Sequence, residues 1–166
     1  MAKFSVNTHR HDPYKTFKFR VIWDGSVIAG ISGIGGLHRI TEVIDYRDGG
    51  DSSQMRTSPG LTRFEPIVLE RGLTHDRAFE DWANLVFSIQ GDAGTSLKNY
   101  RKDIIIQLLN LQGSVVKSYH IYRCWVSEYL PISTLDATGN EPALERLVLQ
   151  HEGWERDEAV GEPAEF

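Results

Sequence analysis

The chain has 166 residues, 40% of them hydrophobic and 25% charged, with a formal net charge of −5, a balance that fits one soluble globular domain with its own core. That charge excludes a chain built as an electrostatic magnet for nucleic acid, and no sequence-specific nucleic-acid binding is expected. A single cysteine, Cys124, excludes an internal disulfide framework and a multi-cysteine zinc site, and fits synthesis in a reducing compartment.

Residues 1–15, "MAKFSVNTHRHDPYK", form an N-terminal arm. They hold no apolar core of signal-peptide length, and nothing downstream approaches the ~18 apolar residues of a membrane span. From Thr16 to Trp23, "TFKFRVIW" alternates, with Phe17, Phe19, Val21 and Trp23 on one face and Lys18 and Arg20 on the other, which predicts a half-buried strand. Asp24-Gly25 marks a hairpin turn, because both residues tolerate positive φ. The return strand runs into "GISGIGGL", four glycines in eight positions. These do not make G-x-G-x-x-G and no helix follows them, so they are no phosphate cradle. They serve a strand that bends or meets another backbone closely.

"TEVIDYR" alternates again, and residues 47–64 form a polar loop punctuated by Gly49, Gly50, Pro59 and Gly60. Such length inside a compact domain marks a functional or disordered segment. "EPIVLERGL" resumes strand character. In "THDRAFEDWANLVFSI" the period becomes helical: Ala78, Trp82, Leu85 and Ile89 share a stripe widened by Phe79, Ala83 and Val86, predicting a helix over about 75–89 with Thr74 or Asp76 as its cap. "RKDIIIQLLN" and "SVVKSYHIYRCWVSEYLP" are two long strands joined by a tight turn, the second with large apolar groups on both faces. "EPALERLVLQHEGWER" fits a helix through Leu144, Leu147 and Val148, or a strand through Leu147, Leu149 and His151. Residues 155–166 are an acidic, frayed tail. The sum is a mainly β chain, an antiparallel barrel or sandwich of about seven strands with one flanking helix.

No motif argues for catalysis or a cofactor. His9 and His11 lack a third metal partner nearby in sequence, and "HEGWE" carries Gly153 where a zinc-binding helix needs one continuous face. The acidic residues of "DYRDGGD" do not follow the calcium-loop spacing. Cys124 sits in a strand-like run as a small core residue. A polar turn and solvated or core-edge histidines account for these features.

The ordered set "YRDGG", "PGL" before an alternating strand, and "ERGLTHDRAFEDW" leading into the helix resembles the tail tube proteins of contractile-tailed phages and the inner tube proteins of extracellular contractile injection systems. "DPYKTFKFRVIWDGSVIAGISGIGGL" is similar to the family's opening hairpin, and "LERLVLQHEGWER" to its closing strand, which favours a strand there. The resemblance implies a tube β-barrel domain over 16–154, hexameric rings and a stacked hollow tube. Its implied partners are further copies, a contractile sheath, baseplate and tube-initiator or cap proteins, and a tape-measure protein or effector cargo in the lumen. It implies synthesis in the bacterial cytoplasm and no enzymatic activity. The loop 47–64 then becomes an inter-subunit arm, with Arg47, Asp48, Gly49, Gly50, Asp51, Met55, Arg56, Pro59, Gly60, Leu61, Arg63 and Phe64 as interface candidates. Met55, Leu61 and Phe64 would bury against the partner while the charged residues set register. An injection-system tube is the leading reading. A phage tail tube conducting DNA is the alternative, and a monomeric small-molecule-binding barrel with an apolar cavity stands behind both.

Overall fold

The computed structural model describes residues 3–50 and 52–166. Its first strand, β1 (Phe19–Trp23), buries Val21 and Trp23 and turns Arg20 outward to donate to Gln107. Phe17 lies before the strand and is exposed rather than on its inner face. Asp24 and Gly25 take positive φ, as the turn requires. β2 (Ser26–Val27) pairs with β1, and the same stretch of chain continues into β3 (Ile31–Ile34), which pairs with β6 (Ile67–Gly72).

This continuation explains the glycines. Gly35 N–H donates to the Val68 carbonyl at 2.8 Å, and a Cβ on Gly35 would sit 3.3 Å from the Val68 nitrogen. Two backbones meet there at a distance that a side chain would prevent.

β4 (Arg39–Tyr46) and β5 (Arg56–Phe64) form a separate two-stranded sheet. The helix α1 (Ala78–Val86) precedes β7 (Lys102–Leu109), β8 (Val115–Leu130), β9 (Leu144–Gln150) and β10 (Trp154–Arg156). The main sheet runs β2-β1-β7-β8-β9-β6-β3, with β10 on β8. Because residues 26–34 pair with β1 at one end and β6 at the other, they draw the two outer strands together and close the sheet into an antiparallel barrel. Among the described residues there are ten strands rather than about seven; the extra ones are the short pieces β2 and β10 and the loop segment that is in fact β5.

β8 resolves the puzzle of a strand that is apolar on both faces. Arg123 has a positive φ of 54°, and further along β8 the register with β9 shifts between Val126 and Glu128. Such bulges exchange the two faces. Ile121 therefore shares the core with Cys124 and Val126, and Tyr129 packs against it after the second shift. The chain itself covers Ile121, Cys124 and Val126, while Tyr122 on the same strand stays exposed. β9 and β10 follow one another along the same side of β8, linked by Tyr122 N–H to the Gly153 carbonyl at 2.9 Å and Glu152 N–H to the Tyr122 carbonyl at 3.0 Å. The segment 141–156 is strand where it is regular.

α1 plugs the Trp23 end of the barrel. Trp23 meets Phe79 and Trp82 with ring centroids 5.9 and 4.9 Å apart, and Trp82 Nε1 donates to the Tyr100 carbonyl at 2.9 Å. The helix is shorter than its apolar stripe. Asp76 caps from outside by accepting from Ala78 N–H at 3.0 Å, while Phe87 turns extended and Ile89 is 94% exposed. Asp76 is held by Arg71, whose wholly buried guanidinium bonds Glu145 and Asp76 and lies 4.3 Å over the Phe79 ring. Burial pushes the Tyr129 hydroxyl, next to Glu145, up to about 12, with the Glu145 charge adding to the effect. Burial likewise pushes the Cys124 thiol to about 12, so this cysteine is a core residue and not a nucleophile at neutral pH.

The acidic tail is pinned, not frayed. Glu162 accepts from the backbone N–H groups of Ser5, Val6 and Asn7, and Glu165 pairs with Arg10. Three successive N–H groups converging on one carboxylate form an anion nest. Desolvation pushes the Glu162 pKa up, but these hydrogen bonds prevail and hold it at about 2. No helix among the described residues is long and apolar enough to cross a membrane.

Candidate functional site

The segment expected to be a loop is mostly strand. β4 and β5 pair from Arg39 opposite Phe64 to Tyr46 opposite Arg56, which leaves only residues 47–55 as the connection. Neither strand joins the barrel sheet. Nine residues of extended chain reach roughly 30 Å, so the hairpin is an arm that leaves the body.

Its local structure follows from the residues. Alternation puts Ile40, Glu42, Ile44 and Tyr46 on one face of β4, and Thr41 and Val43 on the other. Thr41 and Thr62 hydroxyls meet at 2.8 Å across the ladder, and Arg63 reaches Glu42 at 3.9 Å. Between Thr41 and Val43 the register shifts, and the extra residue lies on β5 around Gly60 and Leu61. A Cβ on Gly60 would stand 3.1 Å from Ile44 and 3.3 Å from the Glu42 carbonyl, so glycine is what lets the bulge close. Pro59, which has no N–H to give, sits beside that irregularity. Leu61 is thrown outward and is 79% exposed; Val43, Ile44, Tyr46 and Met55 are also exposed.

The base of the arm is firmly held. Phe64 packs on His151 and Trp154 at 5.6 and 6.5 Å between centroids, and the Arg39 guanidinium lies 5.7 Å over the Trp154 ring. His151 Nε2 lies 2.8 Å from the Glu65 carbonyl, and His38 lies 3.1 Å from the Glu65 carboxylate. Phe64, expected to bury against another subunit, is engaged by its own barrel.

The hairpin thus gathers most of the residues singled out in the sequence. Arg56, Pro59, Gly60, Leu61, Arg63 and Phe64 lie on β5, while Arg47, Asp48, Gly49, Gly50 and Met55 lie in the connection. Asp51 falls outside the described residues. The sequence reading missed the β4 side, Val43, Ile44 and Tyr46. These residues lie in "TEVIDYR", whose alternation marks a strand without marking an uncovered one. Among the described residues no group of three or more His, Cys, Asp or Glu is placed to hold a metal ion.

The closed barrel thus carries a two-stranded arm whose strand edges and apolar side chains no other described element covers. Solved structures share the fold. A chain from the sheath–tube complex of an extracellular contractile injection system, PVC, in its extended state superposes with a TM-score of 0.74 at 21% identity, covering 94% of this chain and 99% of that one. A chain from the anti-feeding prophage cap, a tube-terminating cap, gives 0.74 at 23% identity over 89% and 93%. Hcp1 from Flavobacterium johnsoniae gives 0.53 at 14% over 89% and 98%. No curated protein sequence matches the chain. Residues 15–155 match the family model described as T4-like virus tail tube protein gp19, and the chain belongs to that family. It is a structural tube protein, not an enzyme.

Proposed function

We propose that the chain is the inner-tube subunit of a contractile injection system. Six copies form a ring, rings stack into a hollow tube inside a sheath, and contraction drives the tube through a target membrane with cargo in its lumen. The protein is made in the bacterial cytoplasm and works in the assembled particle, where sheath, baseplate and cap proteins are its further partners.

The observation that carries this reading is the arm. In a tail tube family member, β4 and β5 leave Val43, Ile44, Tyr46 and Leu61 uncovered and two strand edges unpaired. An isolated hairpin is marginal in water, and exposed edges invite pairing with other chains. A neighbouring subunit supplies both missing layers. Apolar contacts along Leu61 and Met55 give the strength, and the charges of Arg47, Asp48, Arg56 and Arg63 set register and association rate. Repetition around and along the tube multiplies interfaces that are individually modest. The likeness to PVC and anti-feeding prophage chains at 0.74, against 0.53 for Hcp1, supports an injection-system tube over a more distant assembly.

Negative-stain electron microscopy beside size-exclusion chromatography tests this. Six-fold rings or stacked hollow tubes are expected. A uniform monomer that also fails to assemble on its cognate baseplate would overturn the proposal.

A further inference from the structure

The two ends of the barrel are finished differently. α1 fills the Trp23 end with Phe79 and Trp82. At the other end the interior opens into a concavity of about 430 Å³, within the roughly 300–1,000 Å³ of sites that engulf a small ligand. Phe19, Leu37, Leu108, Tyr119 and Trp154 are in its wall, and no wall residue carries a charge. Four other concavities of the surface all have charged side chains in their walls. An ionic group inside an uncharged wall would lose its water without gaining a partner. A hydrocarbon chain there is stabilised in proportion to the apolar area it covers.

Cations stand at the edge of this apolar wall. The antiparallel register sets Phe19, Leu108 and Lys117 side by side on three neighbouring strands. Alternation along β8 turns Lys117 to the same side as Tyr119 and Ile121, which is the inner side. Lys117 therefore continues the row of the wall residues Phe19 and Leu108. It is half-buried, and its ammonium has no ion pair or hydrogen bond among the described residues. A lysine so placed lays its stem on apolar surface and keeps its charge at the rim. Arg39 flanks the aromatic side: its guanidinium lies 5.7 Å over the Trp154 ring and has no ion pair among the described residues. Glu65, the acid at the base of the arm, is engaged by His38 at 3.1 Å. Two cations without counter-charges beside an uncharged hollow complement a ligand that is apolar along its body and anionic at one end.

We propose that the open end of the barrel binds a single-chain amphiphile with an anionic head, its hydrocarbon tail against Phe19, Leu108, Tyr119 and Trp154 and its carboxylate at Lys117 and Arg39. A fatty acid is the simplest member of that class. The site goes beyond the tube reading and does not depend on it, since one chain holds every residue involved. The subunit is then a carrier as well as a building block.

Laurate tests this, titrated by calorimetry into the 166-residue chain below the concentration at which laurate forms micelles. Saturable binding of one laurate per chain is expected. Dodecanol has the same tail and no charge, and should bind roughly two- to fivefold more weakly, the size of an exposed charge pair. Dodecyltrimethylammonium should bind more weakly still. Lys117→Gln and Arg39→Gln should each remove part of the preference for laurate while dodecanol binding holds steady. Leu37→Asp puts a charge into the wall and should weaken laurate and dodecanol roughly tenfold or more. Gly36→Phe, at a position where a Cβ meets nothing within 4 Å, narrows the mouth and should weaken both by a second route. The head-group comparison needs no variant, so misfolding of either wall variant leaves the test intact. Equal binding of the three amphiphiles would overturn the proposal, as would laurate binding that both wall variants leave unchanged. A chain that is oligomeric during the titration and binds no laurate would show the mouth covered by a second copy. A chain that sediments with anionic phospholipid vesicles yet binds no laurate would show a membrane-binding face. Either result would overturn the ligand site, whereas failure to form rings or tubes would bear on the tube reading alone.

Discussion

β5 and β6 are separated by two residues, and they could hardly be finished more differently. β6 (Ile67–Gly72) alternates buried and half-buried positions, with Ile67, Leu69 and Arg71 inaccessible to solvent. β5 (Arg56–Phe64) is exposed at seven of its nine positions. β6 has a strand on either side, β3 and β9, and a core beneath it; β5 has one partner and no layer beneath. The contrast separates what a subunit needs in order to fold from what it offers to an assembly. Substitutions in β6 should act on stability, whereas those in β5 should act on association.

The largest effect is expected at Arg71. Its guanidinium is the link between β6, Glu145 on β9 and the Asp76 cap of α1. Arg71→Ala leaves Glu145 buried with only the distant Tyr129 hydroxyl, 3.4 Å away. Breaking a buried pair by removing one partner costs about 3–5 kcal/mol. At ~2–4 °C per kcal/mol for a chain of this size, the midpoint should fall by roughly 6–20 °C. Calorimetry reads this directly, and a midpoint within about 2 °C of wild type (a bound set by ~0.5 kcal/mol) would show that the cluster is not holding the helix.

Two leucines sharpen the comparison. Leu69→Ala in β6 removes a wholly buried side chain and should cost about 2–5 kcal/mol in urea unfolding. Leu61→Ala in β5 removes an exposed one and should change monomer stability by no more than about 0.5 kcal/mol. Its effect should appear instead in the concentration needed for assembly. If Leu61→Ala destabilised the monomer as much as Leu69→Ala, the division between folding strand and docking strand would fail.

Most of the barrel was legible in the sequence because its strands bury one face and therefore alternate. β1 and β6 follow that rule inside their bounds, and the Asp24-Gly25 turn announced itself through residues that tolerate positive φ. β5 was hidden for the opposite reason: with no core to face, it carries no apolar alternation. Pro59 and Gly60 look like loop residues until the bulge that employs them is seen. In β8 the exchange of faces depends on Arg123 adopting a positive φ, which no local pattern announces in a residue other than glycine. The helix was overextended because Ile89 prolongs the apolar stripe after the backbone has already turned extended at Phe87. Of the candidate site, the β5 and tip residues were singled out because the polar, glycine-rich stretch marked a long loop and the tail-tube resemblance made that loop an inter-subunit arm. The β4 residues were passed over because ordinary alternation looks the same whether or not a second layer exists.

The chain ends give the smallest expected effect and a control on the comparison. Like the arm, residues 5–7 lie outside the barrel sheet, but their backbone donors are satisfied inside the chain by Glu162. Its carboxyl is held at about 2 against an ordinary 4.5. A depressed carboxylate contributes its stabilisation above the unfolded value and loses it as pH falls through the folded one. The clasp should therefore be fully closed above about pH 4.5 and should open on acidification towards about pH 2. Amide exchange at Ser5, Val6 and Asn7, corrected for intrinsic rates, should lose protection through that window in the wild type. Glu162→Gln keeps an acceptor oxygen but loses the charge and the second acceptor. It should show weakened protection at neutral pH and no acid transition in that window, with barrel stability and tube assembly unchanged. The β4–β5 amides should be indifferent to this change and should gain protection only when copies associate. Protection at residues 5–7 that survives Glu162→Gln would mean that the barrel surface, not the nest, orders the arm.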